Sequence, residues 1–156
     1  MTAESLCTNM IERYLSASGL RFLRGEHDGE YFCVVSANSR RLHVHFEISP
    51  PFDDVLSVSV TPGRFFPIAD RAWLTHFADT WNLQNRGVTA IVRCSSDPQR
   101  IGVTARRSQW IREGISFEGF ASFLDRTIAS AIDLFAELTR VVELPSTMQP
   151  LLRDAS

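Results

Sequence analysis

Lysine is absent from this sequence: all sixteen basic residues are arginine. Arginine holds its charge at physiological pH and makes planar, forked hydrogen bonds. The pattern suits recognition of carboxylates or phosphates, and a coding preference for arginine codons explains it as simply. A strong charge of either sign is also missing. Eighteen acidic residues leave a net charge of −2, without the basic face and high pI of a general nucleic-acid binder. No apolar run is long enough to span a bilayer. The opening MTAESLCTNMIERYL lacks the basic-then-apolar order of a signal peptide, so a cytoplasmic protein is expected. Cysteine is scarce: Cys7, Cys33 and Cys94 are an odd set without C-x-x-C spacing. Cys33 and Cys94 fall in apolar, strand-like runs and read as buried free thiols. A Walker loop, a dinucleotide fingerprint and a G-x-S-x-G elbow are all missing. These absences point away from an enzyme, a resident cofactor or a metal.

What is present is a regular pattern of elements. At 156 residues the chain suits one domain, which at this size hides roughly 70% of its unfolded surface without disulfides or metal. The domain is expected over residues 1–145, with a mobile tail over 146–156. Glu4 to Ser18 reads as an amphipathic helix, with Ile11, Tyr14 and Leu15 on one side and Gly19 as its stop. LRFLRGEH and EYFCVVSA flank Asp28-Gly29, a strong hairpin signal. RLHVHFEI alternates, with Leu42, Val44, Phe46 and Ile48 on one face and His43, His45 and Glu47 on the other. DVLSVSVT repeats the pattern with Leu56, Val58 and Val60. Pro50-Pro51 separates the two, since proline has no place inside a central strand.

A second helix follows the Pro67 breaker, with Asp70 as its N-cap. Trp73, Leu74, Phe77, Ala78 and Trp81 recur at spacings of three and four, one stripe of a helix. Asn82 and Asn85 suit its end, because asparagine tolerates the left-handed conformation that stops helices. RGVTAIVRCSS and RIGVTARRSQW are two further strands, joined through SSDPQ. The last helix begins after Ser116 and stops before Pro145. Its stripe (Phe117, Phe120, Leu124, Ile128, Ala131, Phe135, Leu138) is widened by Phe123, Ile132, Leu134 and Val141. A helix this apolar needs cover on more than one side, from the sheet and from the first helix or a second copy of the chain. The order implies an α+β domain: a largely antiparallel sheet of about five to six strands with helices packed on it.

RYLSASGLRF, EYFCVV, RLHVHFEI, the helix ending in Trp81-Asn82 and the long apolar last helix together resemble the YbjN-domain family over about residues 5–142. Members are often described as bacterial sensory transduction regulators, with a fold like that of type III secretion chaperones. The resemblance implies a small, non-enzymatic cytoplasmic protein that works by binding another protein.

Several groups of residues invite a functional reading. Trp81-Asn82 offers a ring and an amide as a ligand clamp; packing plus helix termination is the reading the periodic stripe favours. His43, His45 and Glu47 offer two imidazoles and a carboxylate to zinc, yet any half-exposed strand shows such polar alternation. Ser95-Ser96-Asp97 reads as a turn. Arg106, Arg107 and Arg112, with Arg40-Arg41, are either a partner's anion site or a solvated face. Phe65, Phe66 and Ile68 lie in the proline-bounded loop PGRFFPIAD, either as a plug over the core or as an exposed patch. The expected mode of action is protein or peptide binding, with a homodimer, through Phe65, Phe66, Ile68, Phe123, Phe135, Val141, Arg106 and Arg107. The alternative is a small-molecule or metal sensor with a pocket near Trp81 and the His43/His45 strand.

Overall fold

A computed structural model describes residues 3–37, 40–48, 55–111 and 115–142. Pro50-Pro51, Arg112, the tail from Ser146 and the side chain of Cys7 lie outside the described residues. The chain runs α1 (Ala3–Ala17), β1 (Phe22–Arg24), β2 (Glu30–Ala37), β3 (Arg40–Ile48), β4 (Val55–Pro62), β5 (Phe66–Pro67), a 3-10 turn (Ile68–Asp70), α2 (Arg71–Gln84), β6 (Thr89–Cys94), β7 (Arg100–Trp110) and α3 (Phe117–Val142). This is the expected α+β order. The sheet has seven strands, because two residues of the expected loop PGRFFPIAD form β5.

All strand pairs are antiparallel, and the sheet runs β1-β2-β3-β4-β7. The long strand β7 carries β6 along one side, while β5 and β4 share the other. Gly29 makes the β1–β2 turn possible: its φ of 87° favours glycine, and its Cα faces Ile48 so closely that a Cβ would sit 3.1 Å from that side chain. Gly19, at φ 70°, ends α1 as expected, with the Leu20 N–H donating to the Leu15 carbonyl at 3.0 Å.

Strand alternation sends one set of side chains into the core: Tyr31 and Cys33 from β2, Leu42 to Ile48 from β3, Leu56 to Val60 from β4, and Ile101, Val103 and Ala105 from β7. Ile11, Tyr14 and Leu15 of α1, Trp73, Leu74, Ala78 and Trp81 of α2, and the stripe of α3 complete the same cluster. Tyr14 ties α1 to α3, its hydroxyl donating to Asp125 Oδ1 at 2.6 Å. Ser116 caps α3 as expected, accepting from the Gly119 N–H at 3.1 Å. Asp70 holds the N-cap position of α2 without a side-chain cap bond; the 3-10 turn leads the chain in instead.

The expected shortage of cover on α3 is not met where it was sought. Phe123 and Phe135 are buried within this single chain, and Val141 is half-buried against the core. β4, β7 and α1 all pack against α3, so their combined apolar surface is wide enough for the widened stripe. Arg107 adds to it, its guanidinium lying 4.9 Å over the Phe123 ring. Cys33 is buried as expected, but Cys94, last residue of β6, is exposed. Position 94 pairs only with Ile101 on β7, at the end of a strand with no further neighbour among the described residues.

Candidate binding face of the sheet

With the helices on one side, the other face of the sheet is left open. Leu23 faces Phe32 across β1–β2, Phe32 faces His45 across β2–β3, and His45 faces Ser59 across β3–β4. Leu23, Phe32 and Val34 are 73%, 43% and 42% exposed. Strand twist and the chain at Gly19–Phe22 curve this row into an open trough of about 920 Å³. Its floor continues through His43, Thr61, Thr104 and Arg93. A smaller hollow of about 380 Å³ shares those four residues and ends at Phe65. Apolar side chains thus rim a hollow lined by hydroxyls, imidazoles and guanidinium groups.

The Phe65-Phe66 question resolves by alternation. β5 pairs Phe66 with Ile101, which turns Phe66 into the core, edge-on to Trp73 at 6.2 Å. Phe65 then points to the open face, 52% exposed beside Gly102. Ile68 is half-buried, its N–H donating to the Gln99 carbonyl at 2.8 Å. Arg106 and Arg107, adjacent in β7, point to opposite faces and do not act together. Arg106 is exposed on the open face, its Nη2 3.4 Å from Ser57 Oγ. Arg40 and Arg41 are both exposed at the start of β3. The hydrogen bonds of Ser95 and Asp97 stay within the β6–β7 turn, as expected.

Trp81 and Asn82 perform a structural task more specific than packing. Trp81 is buried and its Nε1 donates to the Val88 carbonyl at 3.0 Å. Asn82 donates to the Ala90 carbonyl at 3.0 Å and accepts from the Ala90 N–H at 2.8 Å. Ser130 of α3 accepts from the Val88 N–H at 3.1 Å. These three side chains satisfy the outward-facing backbone groups of an edge strand, as a further strand would. Asn85 ends α2 with extended backbone (φ −129°) rather than the expected left-handed form, its side chain donating to the Trp81 carbonyl at 3.1 Å. The pocket expected near Trp81 is therefore filled by the protein itself.

At the hairpin end of the open face, four titratable side chains meet. His45 Nε2 lies 2.9 Å from Glu30 Oε2 and 3.6 Å from Glu47 Oε2. His27 Nε2 lies 3.8 Å from Glu47 Oε1 and 4.0 Å from Glu30 Oε2. The His45 bond, followed by the Glu26 backbone N–H, holds the Glu30 carboxyl below its usual range. The His45 ring stacks on Phe32 at 4.6 Å. Of the strand triad His43, His45 and Glu47, the last two join this group while His43 lines the trough. His27 and Glu30 were missed in the sequence. Their place follows from pairing: the β2–β3 register sets Glu30 opposite Glu47, and the Asp28-Gly29 turn holds His27 next to Glu30.

Among the described residues no helix is long and apolar enough to cross a membrane. No curated protein matches the chain. It is similar in structure to a protein described as "YbjN, a putative transcription regulator from E. coli", at a TM-score of 0.65 and 14% identity, covering 85% of this chain and 90% of that one. An uncharacterized protein from Methanothermobacter thermautotrophicus is similar at a TM-score of 0.51 and 13% identity, with 86% and 97% covered. At such identities these likenesses carry the fold alone. The sequence itself matches the YbjN family model, "Putative bacterial sensory transduction regulator", over residues 8–140, and the chain belongs to that family.

Proposed function

We propose that this protein is a non-enzymatic, cytoplasmic regulatory module that binds another protein through the open face of its sheet. One observation carries the reading: Leu23, Phe32, Val34 and Phe65 are large, exposed and gathered on the face that no helix among the described residues covers. Grouped apolar exposure of this kind marks an interaction surface, whereas scattered exposure does not. The polar floor, with His43, Thr61, Thr104 and Arg93, supplies hydrogen bonds that fix the orientation of what binds. The family description as a regulator supports the same reading. Partner contact thereby moves from α3, whose Phe123 and Phe135 are buried, to the far side of the molecule. Self-association remains compatible with this face, with the occupant then a second copy.

The test is site-specific photo-crosslinking in the source cell. A photoreactive residue replacing Val34, in the trough, is expected to capture one defined protein. The same residue replacing Leu83, exposed on α2, is expected to capture none of it. Equal capture from both positions, or no protein adduct from position 34, overturns the assignment.

A further inference from the structure

We propose that the hairpin end of the open face binds a zinc-class divalent cation through His27 Nε2 and the carboxylates of Glu30 and Glu47, with His45 orienting Glu30. One ligand atom from each of His27, Glu30 and Glu47 lies within 4.8 Å of the other two. Four-coordinate zinc, with bonds of about 2.0–2.1 Å, spaces its ligands about 3.3 Å apart. The observed 3.8 and 4.0 Å from His27 Nε2 to the carboxylate oxygens are too long for hydrogen bonds. They are wider than the zinc spacing by about 0.5 and 0.7 Å, a closure partly exposed side chains can make.

The tautomer is set for this role. His27 Nδ1 lies 2.9 Å from the Asp28 carbonyl oxygen. A carbonyl only accepts, so Nδ1 carries a proton, and Nε2 is the ring atom that faces the two carboxylates and would take the cation. Glu30 is fixed beforehand. Its Oε1 accepts from the Glu26 N–H at 2.9 Å, and its Oε2 is held by His45 at 2.9 Å. A Cβ at position 25 would lie 2.0 Å from Glu30 Oε1, so Gly25 is what leaves room for the carboxylate. Hydrogen bonds that orient a ligating carboxylate are the usual outer shell of a metal site. Glu30 and Glu47 also face each other directly in the β2–β3 register. Like charges so placed destabilise a strand pair unless a cation lies between them. The donor set, one imidazole nitrogen with two carboxylates, suits zinc or its transition-metal neighbours rather than magnesium or calcium. His45 also lines the trough, so the site adjoins its hairpin end.

The test uses the untagged full-length chain, freed of metal by chelator and dialysis, and titrated with ZnCl2 by calorimetry. The expected result is a single saturable site. Affinity should fall at least tenfold in His27→Gln and in Glu47→Gln, and about 10–100-fold in His45→Ala, the usual cost of losing an outer-shell partner. His43→Ala, on the same face but outside the cluster, keeps the wild-type affinity. MgCl2 gives no saturable binding. In unmodified protein, zinc shifts the imidazole NMR signals of His27 and His45 and leaves that of His76, on α2, in place. No saturable zinc binding, binding unchanged by His27→Gln, or an equal loss in His43→Ala overturns the proposal; far-UV circular dichroism checks that each variant is folded.

Discussion

Replacing Asn82 by alanine tests whether one exposed side chain on α2 substitutes for a missing strand. Asn82 makes two hydrogen bonds to Ala90, at 2.8 and 3.0 Å, and Ala90 is buried. Each bond is worth about 1 kcal/mol net, and a buried backbone group left without a partner costs about 1–3 kcal/mol. Water reaches this partly exposed site and satisfies some of the loss, so about 2–3 kcal/mol is the expected gross effect. Alanine is the better helix former by about 0.6 kcal/mol, which leaves roughly 2 kcal/mol. For a chain of this size that lowers the melting temperature by roughly 4–8 °C. Thermal and urea unfolding followed by far-UV circular dichroism read both quantities. Asn82→Asp is the sharper variant. It keeps an acceptor for the Ala90 N–H but sets a second carboxylate oxygen against the Ala90 carbonyl. It should be at least as unstable as the alanine variant at neutral pH and recover as acidification protonates it and restores a donor. An alanine variant as stable as the wild type would refute the account, leaving only helix propensity at this position.

Trp81→Ala, which opens a cavity and strands the Val88 carbonyl, should cost about 3–5 kcal/mol in urea unfolding. Phe66→Ala should cost about the same, whereas Phe65→Ser should change stability by no more than about 0.5 kcal/mol, because only Phe66 is buried. In a Cys7→Ser background at pH 8, a thiol reagent should label Cys94 at once and Cys33 only after unfolding, since burial pushes the Cys33 thiol up to about 11. Both tyrosines are raised above the usual phenol range, chiefly by burial, with Asp125 adding at Tyr14 and Glu12 at Tyr31. Their raised values stabilise the fold fully below the unfolded phenol pKa of about 10, and this is lost as pH rises beyond it. Absorbance at 295 nm should therefore show phenolate appearing together with alkaline unfolding; ionisation in a still-folded protein would refute this.

Periodicity carried most of the architecture. The alternation in RLHVHFEI and the stripe from Trp73 to Trp81 depend on local geometry alone, and both buried faces were readable. The strand at Phe66–Pro67 was not, because two residues between prolines become a strand only when β7 offers an edge. Area was misjudged for a related reason. The width of the apolar stripe on α3 was plain, but its cover comes from the joint surface of β4, β7 and α1, which no single segment displays. The open face was half-visible: Phe32 and Val34 stood on the polar side of an alternating strand, yet their exposure depends on the helices choosing the other side. His27 escaped notice because it lies in a turn, and only the register of β2 on β3 brings it to Glu47.

Strand β7 has neighbours on both long sides, drawn from residues 55–67 and 89–94. Until about residue 110 has left the ribosome, the first four strands end in a bare edge carrying Leu56, Val58 and Val60. Unpaired edges of that kind recruit other chains. The nascent protein is thus most prone to aggregate when half made. The hairpin closed by residues 95–99 is the local piece that arrives ready to seal the seam.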